Sequence, residues 1–508
     1  MAAQVTELDG SARQAGIETA IGILKQRFAE RLATGAAIRE QHAHTITWIP
    51  NQPPDAVIFA RSTNEVAEIV RICAEHKAPI IPFGAGTSIE GQVNAPVGGI
   101  SLDLSQMDAI VAVNEQDLDC VVEAGVSRKQ VNDHLRDMGF FFPVDPGAEH
   151  ATLGGMAATR ASGTTTVRYG TMRDNVLNLT AVMADGSIVK TARRARKSSA
   201  GYDLTHLLVG SEGTLGIITE LTLRLYGIPE AILAAVCPFG SIEGACNAAI
   251  QAIQLGLGVA RIELLDALQI RACNDHSQLS LQEAPTLFLE FHGTNVSARD
   301  TVEIFKELAD GEGAIRFDWA EKTEDRNRLW KARHDAYWAS RALRPGADAV
   351  ATDVCVPVSR LAECVHETHA DIAEIGLIAP IAGHVGDGNF HVLPLVDMND
   401  VEEVAKTEGF LDRLAARALA MDGTCTGEHG IGMGKIKFLD AEHGSGVAVM
   451  RAIKHALDPS DILNPARSFR RSDGLRNPPV FEQASTSISA SASRKAPWGG
   501  KYSTNGTQ

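Results

Sequence analysis

The sequence contains no run of about eighteen apolar residues, the length that a membrane-spanning helix requires. Its eight cysteines are scattered, and no two of them form a Cys-x-x-Cys pair. This spacing argues against a disulfide framework and an iron–sulfur cluster, and it favours a reducing compartment. Positive charge is also in the minority, with 47 Lys and Arg against 63 Asp and Glu, and the formal net charge of −16 argues against nucleic acid as a partner.

The start of the chain also lacks the features of a signal peptide. Glu7 and Asp9 come early, and no apolar core follows them. Acidic residues at these positions count against a mitochondrial transit peptide as well. The sequence therefore predicts a cytoplasmic protein, compatible with a peripheral position at the inner face of a membrane, and it disfavours a mitochondrial location.

The chain of 508 residues is long enough for two or three domains, and its composition, 44% hydrophobic and 22% charged, is that of a globular protein. Ile17, Ile21 and Leu24 recur at helical spacing, which predicts a helix within residues 12–42. We predict four segments: a helical segment at residues 1–46, a first domain at 47–229, a second domain at 230–467, and a disordered Ser/Thr-rich tail at 468–508.

A glycine-rich loop at residues 84–91 follows a predicted helix, capped by Ser62 and Glu65, and a short buried strand. The loop is not a dinucleotide fingerprint, because Ile89 replaces the third glycine. It is not a P-loop either, because Gln92 follows Gly91 in place of a lysine. Backbone donors and small hydroxyls in such a loop suit a pyrophosphate. The alternative is a plain glycine turn.

Further along the first domain, Thr152 precedes a stretch of Gly and Ala, a helix start at which a flat or anionic ligand can lie against the backbone. Residues 177–183 alternate like a strand and run into Asp185-Gly186, which predicts a hairpin. Residues 190–197 form a basic run. It is interpreted as a solvated loop, with a docking site for an acidic electron acceptor as the alternative.

The second domain alternates strand-like and helix-like runs, which predicts an α/β arrangement. Strands are expected at residues 287–291 and 351–356. Helices are expected at 297–308 and 359–375, and a further helix at 440–467.

The densest group of chemically active residues lies between Ile381 and Gly434. A turn at Gly386-Asp387-Gly388-Asn389 brings His384 and His391 together, and Glu428 completes a divalent-metal trio. The neighbouring His429 is available as a base. The alternative is a pair of core histidines and a surface glutamate. Arg333 is the best candidate to bind a carboxylate, with an exposed helix arginine in a salt bridge as the alternative.

Three motifs resemble the FAD-binding domain of the vanillyl-alcohol oxidase type: residues 82–88, 150–155 and 210–216. The resemblance implies a two-lobed α+β domain that holds FAD extended, with its pyrophosphate on the first loop and its ring towards a second domain. No histidine stands out as a covalent tether, so noncovalent FAD is predicted. The positions assigned to the cofactor are Pro82, Phe83, Gly84, Ala85, Gly86, Thr87, Ser88, Gly91, Pro146, Gly147, Thr152, Gly154, Gly155, Ala158, Ser162, Gly163, Tyr169, Glu212, Gly216, Ile217, Ile218 and Asn464.

With the second domain included, residues 45–467 resemble the FAD-linked D-2-hydroxyacid dehydrogenases, through the segments around Arg333, 352–357, 384–391 and 428–430. The expected fold is α+β, with an α/β cap domain that carries the substrate site and ends in a helical segment. The resemblance implies a divalent metal on His384, His391 and Glu428, and zinc and manganese both tolerate these ligands. It also implies a catalytic base at His429, a substrate site at Arg333, Tyr337 and His429, and a cytochrome c or quinone as electron acceptor. A homodimer is compatible with the sequence.

One departure bears on the substrate. The D-2-hydroxyglutarate branch carries a threonine four residues after the arginine, a lysine further on, and an asparagine two residues after the second metal histidine. This chain has Tyr337, no lysine between Arg333 and Asp353, and Leu393. The resemblance is therefore closest to the lactate branch. D-2-hydroxyglutarate and glycolate dehydrogenases, an oxidase that uses oxygen, and a non-catalytic flavin-binding subunit stay as alternatives.

Overall fold

The computed structural model describes residues 10–465, except for the side chains of Leu329, Ala332 and His334. The tail predicted from residue 468 onward lies outside the described residues. The first half of the chain contains, in order, α1 (Gly10–Phe28), β1 (Leu32–Ala33), α2 (Ala36–Gln41), β2 (Ala56–Phe59), α3 (Thr63–Glu75), β3 (Ile80–Phe83), β4 (Ile100–Asp103), β5 (Ile110–Asn114), β6 (Asp119–Glu123), α4 (Arg128–Arg136), β7 (Phe140–Phe141), α5 (Leu153–Thr159), α6 (Thr166–Tyr169), α7 (Met172–Asn175), β8 (Val176–Val182), β9 (Ile188–Lys190), α8 (Leu204–Leu208), β10 (Ile217–Arg224) and β11 (Tyr226–Gly227).

The second half contains β12 (Ala231–Pro238), α9 (Ile242–Gln254), β13 (Val259–Leu265), α10 (Ala267–Ser277), β14 (Thr286–Gly293), α11 (Asn295–Gly311), β15 (Asp318–Ala320), α12 (Thr323–Ala342), β16 (Asp348–Ala349), β17 (Val354–Cys355), α13 (Leu361–Ile375), β18 (Ile381–Gly383), β19 (Asn389–Val392), β20 (Leu395–Val396), α14 (Val401–Ala420), α15 (Leu439–His443) and α16 (Gly446–Leu457).

The first sheet has the strand order β1-β2-β4-β3, with β4 parallel to both β2 and β3. The N-terminal segment differs from the predicted continuous helix, because α1 ends at Phe28 and β1 pairs antiparallel with β2. Ala29 has a φ of +48°, which ends the helical path. Leu32 and Ala33 therefore pair with the free edge of β2. This strand pairing overrides the helical preference of the local sequence.

The second sheet has the order β5-β6-β10-β8-β9, and its β8–β9 hairpin confirms the turn predicted at Asp185-Gly186. The predicted caps are also confirmed, since Ser62 and Thr152 each accept a backbone N–H three residues on. Both sheets share one apolar core with α1 and α3–α5. In the basic run, Arg194 pairs with Asp117 and Asp119, so this charge is neutralised within the chain.

A seven-stranded sheet with the order β15-β12-β14-β13-β18-β19-β17 forms the second half. Helices α9, α11, α13 and α14 contribute to its main core. The strand predicted at residues 351–356 shortens to β17, because residues 350–353 lie outside regular structure. The antiparallel β18–β19 hairpin, joined through Val385–Asp387, confirms the predicted reversal between His384 and His391.

The C-terminal part of the described chain returns to the first sheet. Ile80 N donates to Ile462 O at 2.7 Å, and Asn464 N donates to Ile80 O at 2.8 Å. The single helix expected at residues 440–467 is replaced by α15, α16 and this extended segment. Gly444 separates the two helices, and Asp458 ends the second one by accepting from the backbone of Ile462 and Leu463.

Candidate active site

A cleft with an empty volume of about 1310 Å³, part of it open to solvent, runs along the glycine-rich loop and the start of α5. A Cβ at Gly84 would collide with Thr152 Oγ1, and one at Gly154 would lie 2.6 Å from Ala124 Cβ. Glycine therefore allows the backbone of the loop to approach Thr152 and that of α5 to pack against Ala124, whose carbonyl accepts from Gly154 N at 2.9 Å. The assigned cofactor positions that line it are Pro82, Phe83, Gly84, Ala85, Gly86, Thr87, Ser88, Pro146, Thr152, Gly154, Gly155, Ala158, Glu212, Gly216, Ile217, Ile218 and Asn464.

Five other positions assigned to the cofactor are placed outside this lining: Gly91, Gly147, Ser162, Gly163 and Tyr169. Tyr169 instead donates or accepts a 2.7 Å hydrogen bond with His292 Nδ1 and packs edge-on against Phe141 and Tyr226. Gly163 allows its backbone to pack closely against that of Asp145, because a Cβ at this position would overlap Asp145 O. Ser162 has a different partner, since its hydroxyl donates to Glu428 Oε2 at 2.9 Å.

The predicted metal trio converges on one point. His384 Nε2 lies 3.0 Å and His391 Nε2 lies 3.2 Å from the same atom, Glu428 Oε1. The other ring nitrogens are occupied, with His384 Nδ1 2.6 Å from Glu263 Oε1 and His391 Nδ1 2.9 Å from Thr352 O. Two imidazole nitrogens and a carboxylate oxygen facing one another fit a divalent ion with further open positions.

The charges in this group are strongly coupled. Burial alone would lower the pKa of His384, but Glu263 and Glu428 outweigh it and hold the pKa well above its usual value. Burial would likewise raise the pKa of Glu428, yet His384 and His391 hold it well below its usual value. The two shifts keep Glu428 ionised and His384 protonated, so a divalent ion that binds here would displace the proton on His384 Nε2.

His429 lies beside this group and also lines the cleft. Its ring stacks on that of His391 at 5.1 Å between centroids and 11° between planes. Its Nδ1 is buried and, among residues 10–465, has no hydrogen-bond partner. Burial, together with the neighbouring His391 and Lys435, lowers the pKa of His429 to about 4. The imidazole is therefore neutral at physiological pH and can accept a proton.

The loop that carries Glu428 and His429 is fixed by Asp353, which is fully buried. Oδ2 of Asp353 accepts from Glu428 N at 2.8 Å, His429 N at 2.9 Å and Thr426 Oγ1 at 2.7 Å. Its Oδ1 accepts from Asn389 Nδ2 at 2.7 Å. One carboxylate thus sets the backbone positions of both functional residues.

The same loop is tied to the first half of the chain. Glu212 accepts from Ile431 N at 2.6 Å and Gly432 N at 2.9 Å, and Gln92 Nε2 donates to His429 O at 2.8 Å. Lys435 Nζ lies 3.1 Å from Glu90 Oε1 and 3.5 Å from Asp353 Oδ2. These contacts fix the metal trio relative to the cleft. They also show that the Glu212 side chain, assigned to the cofactor, binds protein backbone.

Arg333 reaches the trio through Glu263, because its Nε donates to Glu263 Oε2 at 2.7 Å. Burial opposes ionisation of Glu263, but His384 and Arg333 outweigh it and hold its pKa below the usual value. Tyr337 lies one turn after Arg333, on the same face of α12. The structure therefore brings Arg333, His384, His391, Glu428 and His429 together, as the sequence predicted.

Three residues of this site were missed by the sequence analysis: Glu263, Asp353 and Lys435. Each is a charged residue inside or beside an apolar run, for example Ile262-Glu263-Leu264. Charged side chains are rarely buried without a partner, so an acid within a predicted core strand is itself a signal for a paired site. The identity of the partners depends on strand register.

Residues 54–192 match the family described as "FAD binding domain", and residues 228–467 match "FAD linked oxidases, C-terminal domain". The chain is 52% identical over 462 residues to "Probable D-lactate dehydrogenase, mitochondrial" of Danio rerio, covering 90% of this chain and 93% of the relative. This chain belongs to the FAD-linked D-lactate dehydrogenase family. "D-lactate dehydrogenase [cytochrome], mitochondrial" of Arabidopsis thaliana is 47% identical, covering 82% of this chain and 73% of the relative.

The family membership confirms the resemblance, the FAD cofactor and the oxidoreductase class predicted from the sequence. A solved structure of p-cresol methylhydroxylase with substrate bound aligns with a TM-score of 0.75 at 17% identity, covering 91% of this chain and 97% of the other. At this identity the likeness shows the fold alone. It confirms the α+β fold of the vanillyl-alcohol oxidase type.

The predicted cytoplasmic location, with mitochondria disfavoured, is wrong. The relatives from Danio rerio and Arabidopsis thaliana both carry "mitochondrial" in their names. The prediction rested on Glu7 and Asp9 alone, and two acidic residues are too little information to determine the compartment of the folded domains. No helix within residues 10–465 combines the length and apolar character needed to cross a bilayer.

Proposed function

We propose that this protein oxidises D-lactate to pyruvate, with noncovalent FAD in the cleft and a divalent ion on His384, His391 and Glu428. The observation that carries the proposal is that Glu428 belongs both to the candidate metal site and to the lining of the cofactor cleft. It meets the Nε2 atoms of both histidines and, with His429, it lines the cleft that contains the glycine-rich loop. Metal, base and flavin would therefore meet around one small substrate.

The chain's own residues support a monocarboxylic substrate. Arg333 Nε donates a hydrogen bond to Glu263. Within the described part of the chain the two Nη groups of Arg333 make no hydrogen bond, so they can bind one carboxylate. Leu393 is buried with 9% of its surface exposed, and its side chain offers no hydrogen bond to a second carboxylate. Relatives named as D-lactate dehydrogenases at 52% and 47% identity point to the same substrate.

In this proposal FAD, when bound, accepts a hydride, and a divalent ion, when bound, lowers the pKa of a coordinated hydroxyl. Arg333 binds the lactate carboxylate and orients the carbon that is oxidised. His429, neutral because burial lowers its pKa to about 4, takes the hydroxyl proton. Asp353 holds the backbone of His429 in place, and the stacked ring of His391 limits the tilt of its imidazole.

The electron acceptor is proposed to be a cytochrome, because the Arabidopsis thaliana relative carries "[cytochrome]" in its name. A quinone stays as the alternative. Zinc and manganese both tolerate two imidazoles and a carboxylate as ligands. A homodimer and a peripheral membrane contact stay predictions of the sequence.

The proposal is tested by anaerobic reduction of the purified flavoprotein with D-lactate, L-lactate, glycolate and D-2-hydroxyglutarate, followed by the loss of flavin absorbance. Rapid bleaching by D-lactate with slow or no bleaching by the others is expected. Preference for D-2-hydroxyglutarate would contradict the substrate argument from Leu393. A flavin that no 2-hydroxy acid reduces would contradict the enzymatic proposal.

A further inference from the structure

Glu263 is a fully buried carboxylate behind the candidate metal group, with none of its side chain exposed. It lies on β13, which pairs antiparallel with β18 so that Leu264 faces Gly383. Continuing this register by one residue places Glu263 opposite His384. Both carboxylate oxygens are used on site residues, with Oε1 2.6 Å from His384 Nδ1 and Oε2 2.7 Å from Arg333 Nε.

The first of these contacts determines which nitrogen of His384 carries a proton. An ionised carboxylate only accepts hydrogen bonds, so His384 Nδ1 must carry the hydrogen in this contact. Metal ligation requires the neutral ring, in which the lone pair then lies on Nε2, the atom that faces Glu428 Oε1 at 3.0 Å. A histidine whose other nitrogen donates to a carboxylate is fixed in ring orientation and is a more basic ligand.

The second contact fixes the guanidinium of Arg333. Because Nε donates to Glu263, the planar group is held in one orientation, and within residues 10–465 neither of its Nη groups makes a hydrogen bond. A carboxylate held by those groups would therefore lie at a set distance from the ligands around Glu428. The same anion thus orients a metal ligand and a substrate-binding residue.

We propose that Glu263 is a positioning residue that sets the tautomer of His384 and the orientation of Arg333 together, so that metal and substrate carboxylate are held in one geometry. The proposal rests on the proposed function. A purely structural ion pair is a weaker explanation, because a buried charge pair contributes little net stability compared with apolar packing. Both oxygens of Glu263 contact site residues, and within residues 10–465 neither accepts from backbone.

The test is Glu263→Gln, which keeps the shape and removes one acceptor. The two donors, Arg333 Nε and His384 Nδ1, now lie on different oxygens of Glu263, so the single amide oxygen of glutamine can take the place of only one of them and the NH₂ group faces the other. If its NH₂ donates to His384 Nδ1, the proton of the neutral ring moves to Nε2 and blocks metal ligation. We expect the metal affinity of the FAD-loaded protein, measured without substrate by competition with a chelating dye for Zn²⁺ or Mn²⁺, to fall about 10- to 100-fold.

The matched control is Glu290→Gln on the neighbouring strand β14. Glu290 is also buried and also pairs with a histidine and an arginine, 2.7 Å from His292 Nε2 and 3.6 Å from Arg261 Nε. It contacts none of the proposed metal ligands, so metal affinity should match that of the wild type. At saturating metal, Glu263→Gln should also raise the KM for D-lactate more than it lowers kcat, because Arg333 loses its fixed orientation.

Equal loss of metal affinity in both variants, or wild-type affinity in Glu263→Gln, would overturn the positioning role. The second outcome, obtained with a wild-type protein that binds metal and oxidises D-lactate, would leave the proposed function intact. A wild-type protein that binds no metal would overturn both. If Glu263→Gln does not fold, ¹⁵N-histidine spectra of the Zn²⁺-loaded wild type decide: a protonated Nδ1 on His384 supports the role, and ligation through Nδ1 refutes it.

Discussion

Replacing Asp353 should separate the geometry of the site from its chemistry, because this carboxylate touches neither cleft nor substrate directly. Two of its four hydrogen bonds hold the backbone N–H groups of Glu428 and His429. At about 1.5–3 kcal/mol for each bond to a charged acceptor, these two contribute about 3–6 kcal/mol to the position of the loop. If that positioning is lost, kcat/KM for D-lactate falls at least about 100-fold in Asp353→Ala.

Asp353→Asn is the graded comparison. Its oxygen can keep the three donors now on Oδ2, while its NH₂ faces the Asn389 Nδ2 group. The retained bonds become neutral and about half as strong, so a loss near tenfold is expected. Burial works to raise the pKa of Asp353, but the charges around it, that of Lys435 among them, hold the pKa below its usual range. The effect of the Asn variant should therefore be the same at pH 6 and pH 9.

The assay is steady-state oxidation of D-lactate with a dye acceptor at saturating metal, normalised to bound flavin. FAD content should be unchanged, since Asp353 does not line the cleft. Asp353→Ala within threefold of the wild type would refute the reasoning, because the loop would then be held by other contacts. Equal losses in the Ala and Asn variants would show that charge, and not the hydrogen bonds, is the important property.

Two further predictions concern the cofactor cleft and pH. In Gly84→Ala the new Cβ collides with Thr152 Oγ1, so FAD binding should weaken by about 1–3 kcal/mol, seen as lower flavin content, while Gly22→Ala, which meets no atom within 4 Å, should bind FAD normally. Burial raises the pKa of Asp266 from 3.8 to about 7, so folded-state stability is lost as pH rises through this range. Asp266→Asn keeps an acceptor for Gln269 N and should raise the free energy of unfolding, measured by urea denaturation, by about 1–4 kcal/mol more at pH 8 than at pH 5; an equal effect at both pH values would contradict the shift.

The hairpin of the metal site was predictable because its signals are local. Two histidines separated by seven residues lie on opposite faces of a straight strand, so the intervening Gly-Asp-Gly-Asn had to form a turn. Gly388 adopts a φ of +79° there, as expected for such a residue. The helix caps at Ser62 and Thr152 were predictable for the same reason.

Contacts set by the assembly of sheets were not predictable. Glu263 meets His384 across 121 residues, and this pairing follows from the β13–β18 register, which no local pattern reports. Leu32 and Ala33 leave the helical pattern because the edge of β2 is available to them. Tyr169 lies near the predicted cofactor motifs in sequence, yet its hydroxyl turns to His292 in the second half of the chain.

The most direct test of the account is an anaerobic D-lactate titration of the FAD-loaded protein before and after treatment with a chelator, repeated with Glu428→Gln. The account predicts that D-lactate bleaches the flavin of the untreated wild type. It also predicts that chelation abolishes bleaching, that added Zn²⁺ or Mn²⁺ restores it, and that Glu428→Gln keeps FAD but is not bleached. Flavin reduction that is unchanged after treatment with the chelator would contradict the role given to His384, His391 and Glu428.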